Sequence, residues 1–455
     1  MLRTARRSDP AELLVPDFRE EPYWWLAAPP GQGGDTADHD LPRQVEVAII
    51  GGGITGMVAA LDLARAGADV VVLDAQGIGE GAARRSAGFL GRTLKRSVEW
   101  LARKGGHPYA ASVYRELDTA LKGVAALVEA EAIDCHHTIC GRFVAANSPA
   151  HFRALIDDLE ATHREVGFPY QVVERHEQHR EIASDLYCGG AVIPDLGSIH
   201  PGLYHQGLVR RARAAGVRLL PFTAVQSIEP GEGQKRIATA RGSFHARQVV
   251  IATNGYTSRH LSWHVRRVIP FRGFIVVTEI LPPGLIERLL PRRRTYLDTR
   301  MNIDFIRPAP DSNRILFGGL TGTASDTAAP LAAALRSRLA AILPDLKDVR
   351  LARAWTGLCA GTFDFMPHIG RQDGIHFALG YNFAGIPIGT HFGRLVARRI
   401  LGREDAESVF ETARFPTAPF YGGSPWFVPL AMRCFDWHDR RIAARQPATS
   451  ARAQP

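Results

Sequence analysis

Apolar residues run almost without a break through Val45, Val47, Ala48, Ile49 and Ile50, with Glu46 as the polar member. A segment that is apolar on both faces suits a parallel strand covered by other layers. Residues 54–66 follow with helical spacing and small side chains, and Gly67 supplies a C-terminal cap. Residues 69–74 are a second branched run and complete a β-α-β unit. Strands of the same type recur at 247–252 and 375–379. Amphipathic helices are expected at 203–215, capped by Gly216, and at 330–342 and 386–401. Residues 108–165 read as mostly helical around a strand-like 141–146, and shorter strand-like pieces lie at 217–220 and 223–228. Branched or alternating segments at 265–280 and 303–319 predict antiparallel strands. No internal repeat is visible.

This order predicts an α/β fold. A Rossmann-like, three-layer domain with a parallel sheet would be assembled from 44–100, 190–264 and 350–402. An inserted α+β substrate domain with a mainly antiparallel sheet would come from 101–189 and 265–349. Residues 1–43 read as a polar tail, in which Tyr23, Trp24, Trp25 and Leu26 are expected to dock back on the domain. Residues 403–455 form a C-terminal extension. The site should lie where the two domains meet, above the carboxyl ends of the parallel strands.

Composition narrows the class. A chain of 455 residues with 45% hydrophobic and 22% charged residues suits a two-domain globular protein. The net charge of +9 comes from arginine, since only five lysines occur. The arginines are scattered, with some excess near the ends, and no basic run alternates with aromatics, so no nucleic-acid partner is expected. Five cysteines without paired spacing argue against a disulfide framework. Cys135, His136, His137 and Cys140 lack a second ligand pair, so no metal is expected. No signal-peptide pattern and no run of 18 apolar residues is seen, which makes a cytoplasmic protein without a transmembrane segment the expectation.

The first β-α turn carries the chemistry. Gly51, Gly53 and Gly56 sit between a strand and a helix, and Asp74 ends the next strand. Gly51 permits the tight turn, Gly53 lets backbone amides approach a pyrophosphate, and Gly56 lets helix and strand pack closely. The amides of Ile54 and Thr55 open the helix and face the phosphates. Asp74, with Ala75 beside it, would accept hydrogen bonds from ribose hydroxyls. A second glycine- and alanine-rich loop, Gly79 to Gly91, follows and contains Arg85, Ser86, Ala87 and Gly88. Its scarcity of bulky side chains suits a planar ring and favours FAD over NAD.

With these segments the chain resembles the FAD-dependent family of D-amino-acid oxidase, glycine oxidase and sarcosine oxidase, over about residues 44–402, most of all the γ-glutamylputrescine oxidoreductase branch. Two further segments carry the likeness: Val249 to Tyr256, and Trp355 to Gly370 with Gly380 to Gly389. The resemblance implies that Thr253, Asn254 and Gly255 pass beside the adenosine and pyrophosphate. It implies that Gly385 and Ile386 offer helix N-terminal amides to the flavin's pyrimidine edge. Arg92 stands where relatives hold a substrate carboxylate, and Tyr381 and Phe383 are placed at the substrate pocket. Arg307 and Asp304 are further pocket candidates, while His200 is expected to pack or cap a helix.

The chain also departs from the pattern. Ala83 and Arg84 replace a usual Ser-Gly, and Phe383 and Ala384 replace a common Gly-His. Gly357 occupies the position of the flavin-linking cysteine, with Cys359 two residues on, so FAD is expected to be non-covalent. No lysine stands in residues 314–319, where sarcosine oxidases place their oxygen-activating one, so another electron acceptor stands beside oxygen. The activity implied is oxidation of the C–N bond of an amine or amino acid by hydride transfer to flavin N5. The alternatives are a flavin enzyme acting on a hydroxy acid or RNA, and a flavoprotein scaffold without turnover. The apolar residues of the C-terminal extension are expected to pack on the domain.

Overall fold

The computed structural model describes residues 10–31, 40–92, 94–411 and 415–444. Arg3, Arg6 and Arg7, the glycines at 33 and 34, and Arg445 lie outside the described residues.

The first sheet is built on five parallel strands in the order Arg218–Leu220, Val70–Leu73, Gln44–Ile50, Gly242–Ile251, Ile375–Leu379. Their continuous apolar runs are used on both sides. Val47, Ile49, Val70 and Val72 face a core built with the helices Ile54–Arg65, Pro201–Ala214 and Gly385–Ile400. Ala48, Ile50, Val71 and Leu73 face a second core shared with Val225, Ile237 and Phe244. The strands Val225–Pro230 and Lys235–Thr239 extend this sheet in antiparallel fashion.

The second sheet has nine strands, in the order Leu14–Arg19, Leu351–Gly361, Ile269–Thr278, Ile315–Gly319, Phe305–Pro308, Thr295–Asp298, Arg142–Ala145, Gly190–Ile193, Gln171–Val173. All its pairings are antiparallel except those of Leu14–Arg19 with Leu351–Gly361 and of Thr295–Asp298 with Arg142–Ala145. Its own core gathers Phe274, Val276, Ile306 and Phe317 beneath the helix Ala332–Ile342.

Five segments sit, in whole or in part, elsewhere than the sequence reading put them. Part of the expected tail is an edge strand, because Leu14–Arg19 zips onto Leu351–Gly361. The strands Gly190–Ile193 and Leu351–Gly361, expected in the nucleotide domain, belong to the second sheet. The helix His107–Ala130 and residues 101–105 of the helix Val98–Gly105, expected in the insert, bury Leu101, Val113 and Leu117 in the helix-side core of the first. The apolar stripes of these helices are buried in the core of the first sheet, which the order of the chain between strands did not predict.

Candidate active site

A cavity of about 470 Å³ runs from the first β-α turn to the underside of the second sheet. At one end the Gly51 backbone has φ +110°, and a side chain there would strike the Ala252 carbonyl. A Cβ on Gly53 would meet nothing within 4 Å, so the turn leaves room at the mouth of the helix Ile54–Arg65. No side chain caps that helix, and Ile54 and Thr55 line the cavity. Gly56 packs instead: a Cβ there would lie 2.0 Å from the Gly51 carbonyl oxygen.

Asp74 lines the same end, beside Ala75. It accepts hydrogen bonds from the amides of Gly52, at 2.8 Å, and Gln76, at 3.0 Å. Burial pushes its carboxyl up to about 6. The turn is braced from behind by Arg84, whose guanidinium is fully buried and donates to His205 Nδ1 at 3.0 Å. Since Nδ1 accepts, His205 Nε2 donates to the Gly52 carbonyl, at 2.8 Å. Burial lowers the His205 pKa to about 3, so this imidazole stays neutral. Arg84 therefore points away from the cavity and adds no bulk to it.

The second glycine loop forms the middle of the cavity through Arg85, Ser86, Ala87 and Gly88. Two indoles hold it: Trp24 Nε1 donates to the Ser86 carbonyl and Trp355 Nε1 to the Arg85 carbonyl, both at 2.8 Å. Trp24 is wholly buried, and the Arg85 guanidinium lies 4.9 Å from the Trp25 ring. The aromatic cluster of the N-terminal segment thus clamps the loop from outside the cavity. The Ser86 hydroxyl is buried and has no protein partner among the described residues.

Thr253 and Asn254 line the opposite wall. Asn254 takes φ +43° and accepts from the Gly380 amide at 2.9 Å. Gly255 packs behind them, because a Cβ there would lie 2.7 Å from the Cys359 carbonyl oxygen. Gly357, Leu358, Cys359 and Ala360 of the strand Leu351–Gly361 line the cavity. Burial pushes the Cys359 thiol up to about 12. Gly385 and Ile386 open the helix Gly385–Ile400 with no side-chain cap, so its first amides face the cavity.

Phe89, Leu297, Ile303, Phe305, Thr321 and Phe383 line the far end, with Arg142 among them. Arg142 is buried, donates to the Leu90 carbonyl at 3.1 Å and the Thr295 hydroxyl at 3.3 Å, and lies 5.2 Å from the Phe89 ring. Gly91 makes room for it: a Cβ would approach Arg142 Nη1 to 2.8 Å. Burial lowers its pKa to about 10, so it remains a cation at neutral pH. Lys95 stands nearby, its Nζ 5.5 Å from the Phe383 ring, with a pKa lowered by burial.

Several expected pocket residues are engaged elsewhere. Arg92 does not line the cavity; it bonds Asp118 at 2.8 Å and both oxygens of Asp195 at 2.7 and 2.8 Å. Its charge is already matched, which leaves no fork for a substrate carboxylate. Tyr381 lines the cavity, but its hydroxyl donates to the Ala378 carbonyl at 2.8 Å and accepts from Thr55 Oγ1 at 2.7 Å. Arg307 donates to the carbonyls of Ala87, Gly88 and Ile199. Asp304 is buried between Arg300 and Arg338. His200 caps its helix, accepting from the Leu203 amide at 3.1 Å. Sequence reasoning missed Arg142 and Lys95. Lysine scarcity alone could have drawn attention to Lys95, four residues past Gly91.

A glycine turn on a parallel sheet, a carboxylate at the next strand end and a small-residue loop under an antiparallel sheet define a dinucleotide-dependent oxidoreductase of the flavin type. The open ground over Gly53, the unpartnered Ser86 hydroxyl and two uncapped helix N-termini fit FAD. Comparison with known proteins gives the family. The model of the FAD dependent oxidoreductase family matches residues 46–399, and the chain belongs to that family of enzymes. It is 30% identical over 387 residues to γ-glutamylputrescine oxidoreductase of Escherichia coli K12, covering 85% of this chain and 90% of that protein. It is 29% identical over 401 residues to the probable oxidoreductase OrdL of Rhizobium meliloti, covering 88% and 92%. The crystal structure of glycine oxidase from Geobacillus kaustophilus superposes with a TM-score of 0.69 at 25% identity, covering 84% of this chain and all of that one.

Proposed function

We propose that this protein oxidises the C–N bond of an amine that carries a carboxylate, with non-covalently held FAD. The observation that carries the reading is the buried guanidinium of Arg142 on the apolar far wall of the cavity. A fixed cation in a dry wall favours an anionic group on the bound molecule, and a guanidinium suits a carboxylate. The relatives named for glycine and γ-glutamylputrescine support the substrate class. FAD, when bound, supplies the two-electron acceptor for the hydride leaving the carbon next to nitrogen.

The chain's own residues position and polarise. Gly51, Gly53, Ile54 and Thr55 would receive the pyrophosphate, Asp74 the ribose, and the loop from Arg85 to Gly88 the ring. The first amides of Gly385–Ile400 present a positive dipole end where negative charge would gather. Phe89, Phe305 and Phe383 exclude water from the reacting carbon. The amine enters deprotonated, so no protein base is needed. The final electron acceptor in this reading would be oxygen or another oxidant, and the location the cytoplasm.

The test is a panel of amines read anaerobically by bleaching of the flavin, with oxygen consumption measured beside it. Arg142→Met is expected to lower kcat/KM roughly 100-fold for carboxylate-bearing amines, as loss of a charge-assisted hydrogen-bonded pair would. Decarboxylated counterparts should change little. Equal loss for both kinds would remove the carboxylate from the proposal. Bleaching by hydroxy acids but by no amine would overturn the reading.

A further inference from the structure

The helix Val428–Ala444 in the C-terminal extension has two faces with different surroundings. Its inner face is tied to the cavity walls. Val428 and Met432 pack on Gly322, next to the lining residue Thr321. Asp439 is buried and accepts from the Met301 amide at 3.0 Å, two residues before the lining residue Ile303. The helix is therefore latched to two loops at the far end of the cavity.

The outer face was expected to pack on the domain and does not. Leu430 is 60% and Trp437 54% exposed, and Arg433, Cys434 and Arg441 are exposed with them. At 3.6 residues per turn these five side chains share an arc of about 100°. The Arg441 guanidinium lies 3.8 Å from the Trp437 ring. Trp426, 78% exposed, and Phe420, fully exposed, precede the helix. Asp436 falls to the side of this arc and Asp439 on the inner face, so the described outer arc holds cations and apolar groups without a carboxylate. Single exposed apolar residues are ordinary, but Leu430 and Trp437 share their arc with two arginines, and Phe420 and Trp426 stand exposed in the segment just before it.

We infer that this face docks on an anionic lipid bilayer, lying in the plane of the headgroups. Indole rings favour headgroup depth, leucine reaches the acyl boundary, and arginine stems extend along it to place their charge on lipid phosphates. The net charge of +9 adds a long-range attraction to such a surface. A symmetric contact with a second copy would bring the arginines of one arc against those of the other. That repulsion sets the lipid above self-association.

The experiment uses the full-length holoenzyme and large vesicles of phosphatidylcholine, alone or mixed with phosphatidylglycerol. Sedimentation should show binding to the mixed vesicles that weakens as salt is added. Leu430→Ser and Trp437→Ser are each expected to weaken it roughly tenfold while leaving the melting temperature and flavin reduction by amine unchanged. Arg433→Gln with Arg441→Gln should erase the preference for the anionic lipid. A fluorophore on Cys434 should brighten on the mixed vesicles, with Cys434→Ser as the labelling control. No binding, or equal binding to neutral and anionic vesicles, would overturn the inference. A concentration-dependent dimer abolished by the same serine substitutions, without vesicle binding, would assign the face to a second copy instead.

Discussion

Asp74 is gripped by the turn beside it, and its burial gives a pH signature. Its carboxyl holds a proton up to about pH 6 in the folded chain, above the ordinary value of 3.8. The cofactor-free folded state therefore binds a proton that the unfolded chain has lost between about pH 4 and 6. Its stability should fall as pH rises through that window and level off above it. FAD binding is expected to run the other way, because a ribose needs the ionised acceptor. Affinity read by flavin fluorescence should drop by up to about tenfold per unit below pH 6, and Asp74→Asn should flatten the profile. Arg92 carries a different expectation. Arg92→Met removes the partner of Asp195 and one of the two cations on Asp118, which keeps Lys122, so stability in denaturant should fall by about 1 kcal/mol. KM should stay unchanged. Asp74 was legible in the sequence because its job depends on spacing along one strand. Arg142 was not: Gly91, Phe89 and Thr295 surround it only after three distant segments meet, and no local pattern records that.

Elements were legible where burial is symmetric. The strands at 45–50 and 375–379 announced themselves because both faces are covered. Leu14–Arg19 escaped notice because it is half-buried, contains Pro16 and is the edge strand of its sheet among the described residues, where proline is tolerated. Its neighbour, the turn Tyr23–Leu26, holds the second glycine loop through Trp24. Trp24→Ala should cost about 3–5 kcal/mol in thermal or denaturant unfolding. It should also loosen FAD, measured as a higher Kd for the re-added cofactor. The turn before Gly385–Ile400 stores strain, since Asn382 and Phe383 take φ +45° and +78° in succession. A bulky residue held there costs on the order of 1 kcal/mol. Phe383→Gly is expected to relieve it, raising or preserving the melting temperature while weakening selection among amines.

At the scale of the whole molecule, the cavity is walled by both sheets, so bound FAD would tie them together. Added FAD should raise the free energy of unfolding by about 1.4 kcal/mol for each tenfold excess over Kd, seen as a higher melting temperature. Acid precipitation should release the flavin into the supernatant, because Gly357 offers no nucleophile and the buried Cys359 thiol resists ionisation. Flavin retained on the polypeptide would refute the non-covalent reading. The domain pattern was only partly legible, since the chain crosses between the two sheets several times and each crossing is decided by packing rather than by sequence order. The pairing of Leu14–Arg19 with Leu351–Gly361 has a consequence in time. During synthesis the first strand leaves the ribosome long before its partner exists. It must wait for its partner until more than three hundred further residues have followed. The clamp on the cofactor loop therefore closes late, and the nascent chain has to be shielded for most of its translation before FAD has a finished place to enter.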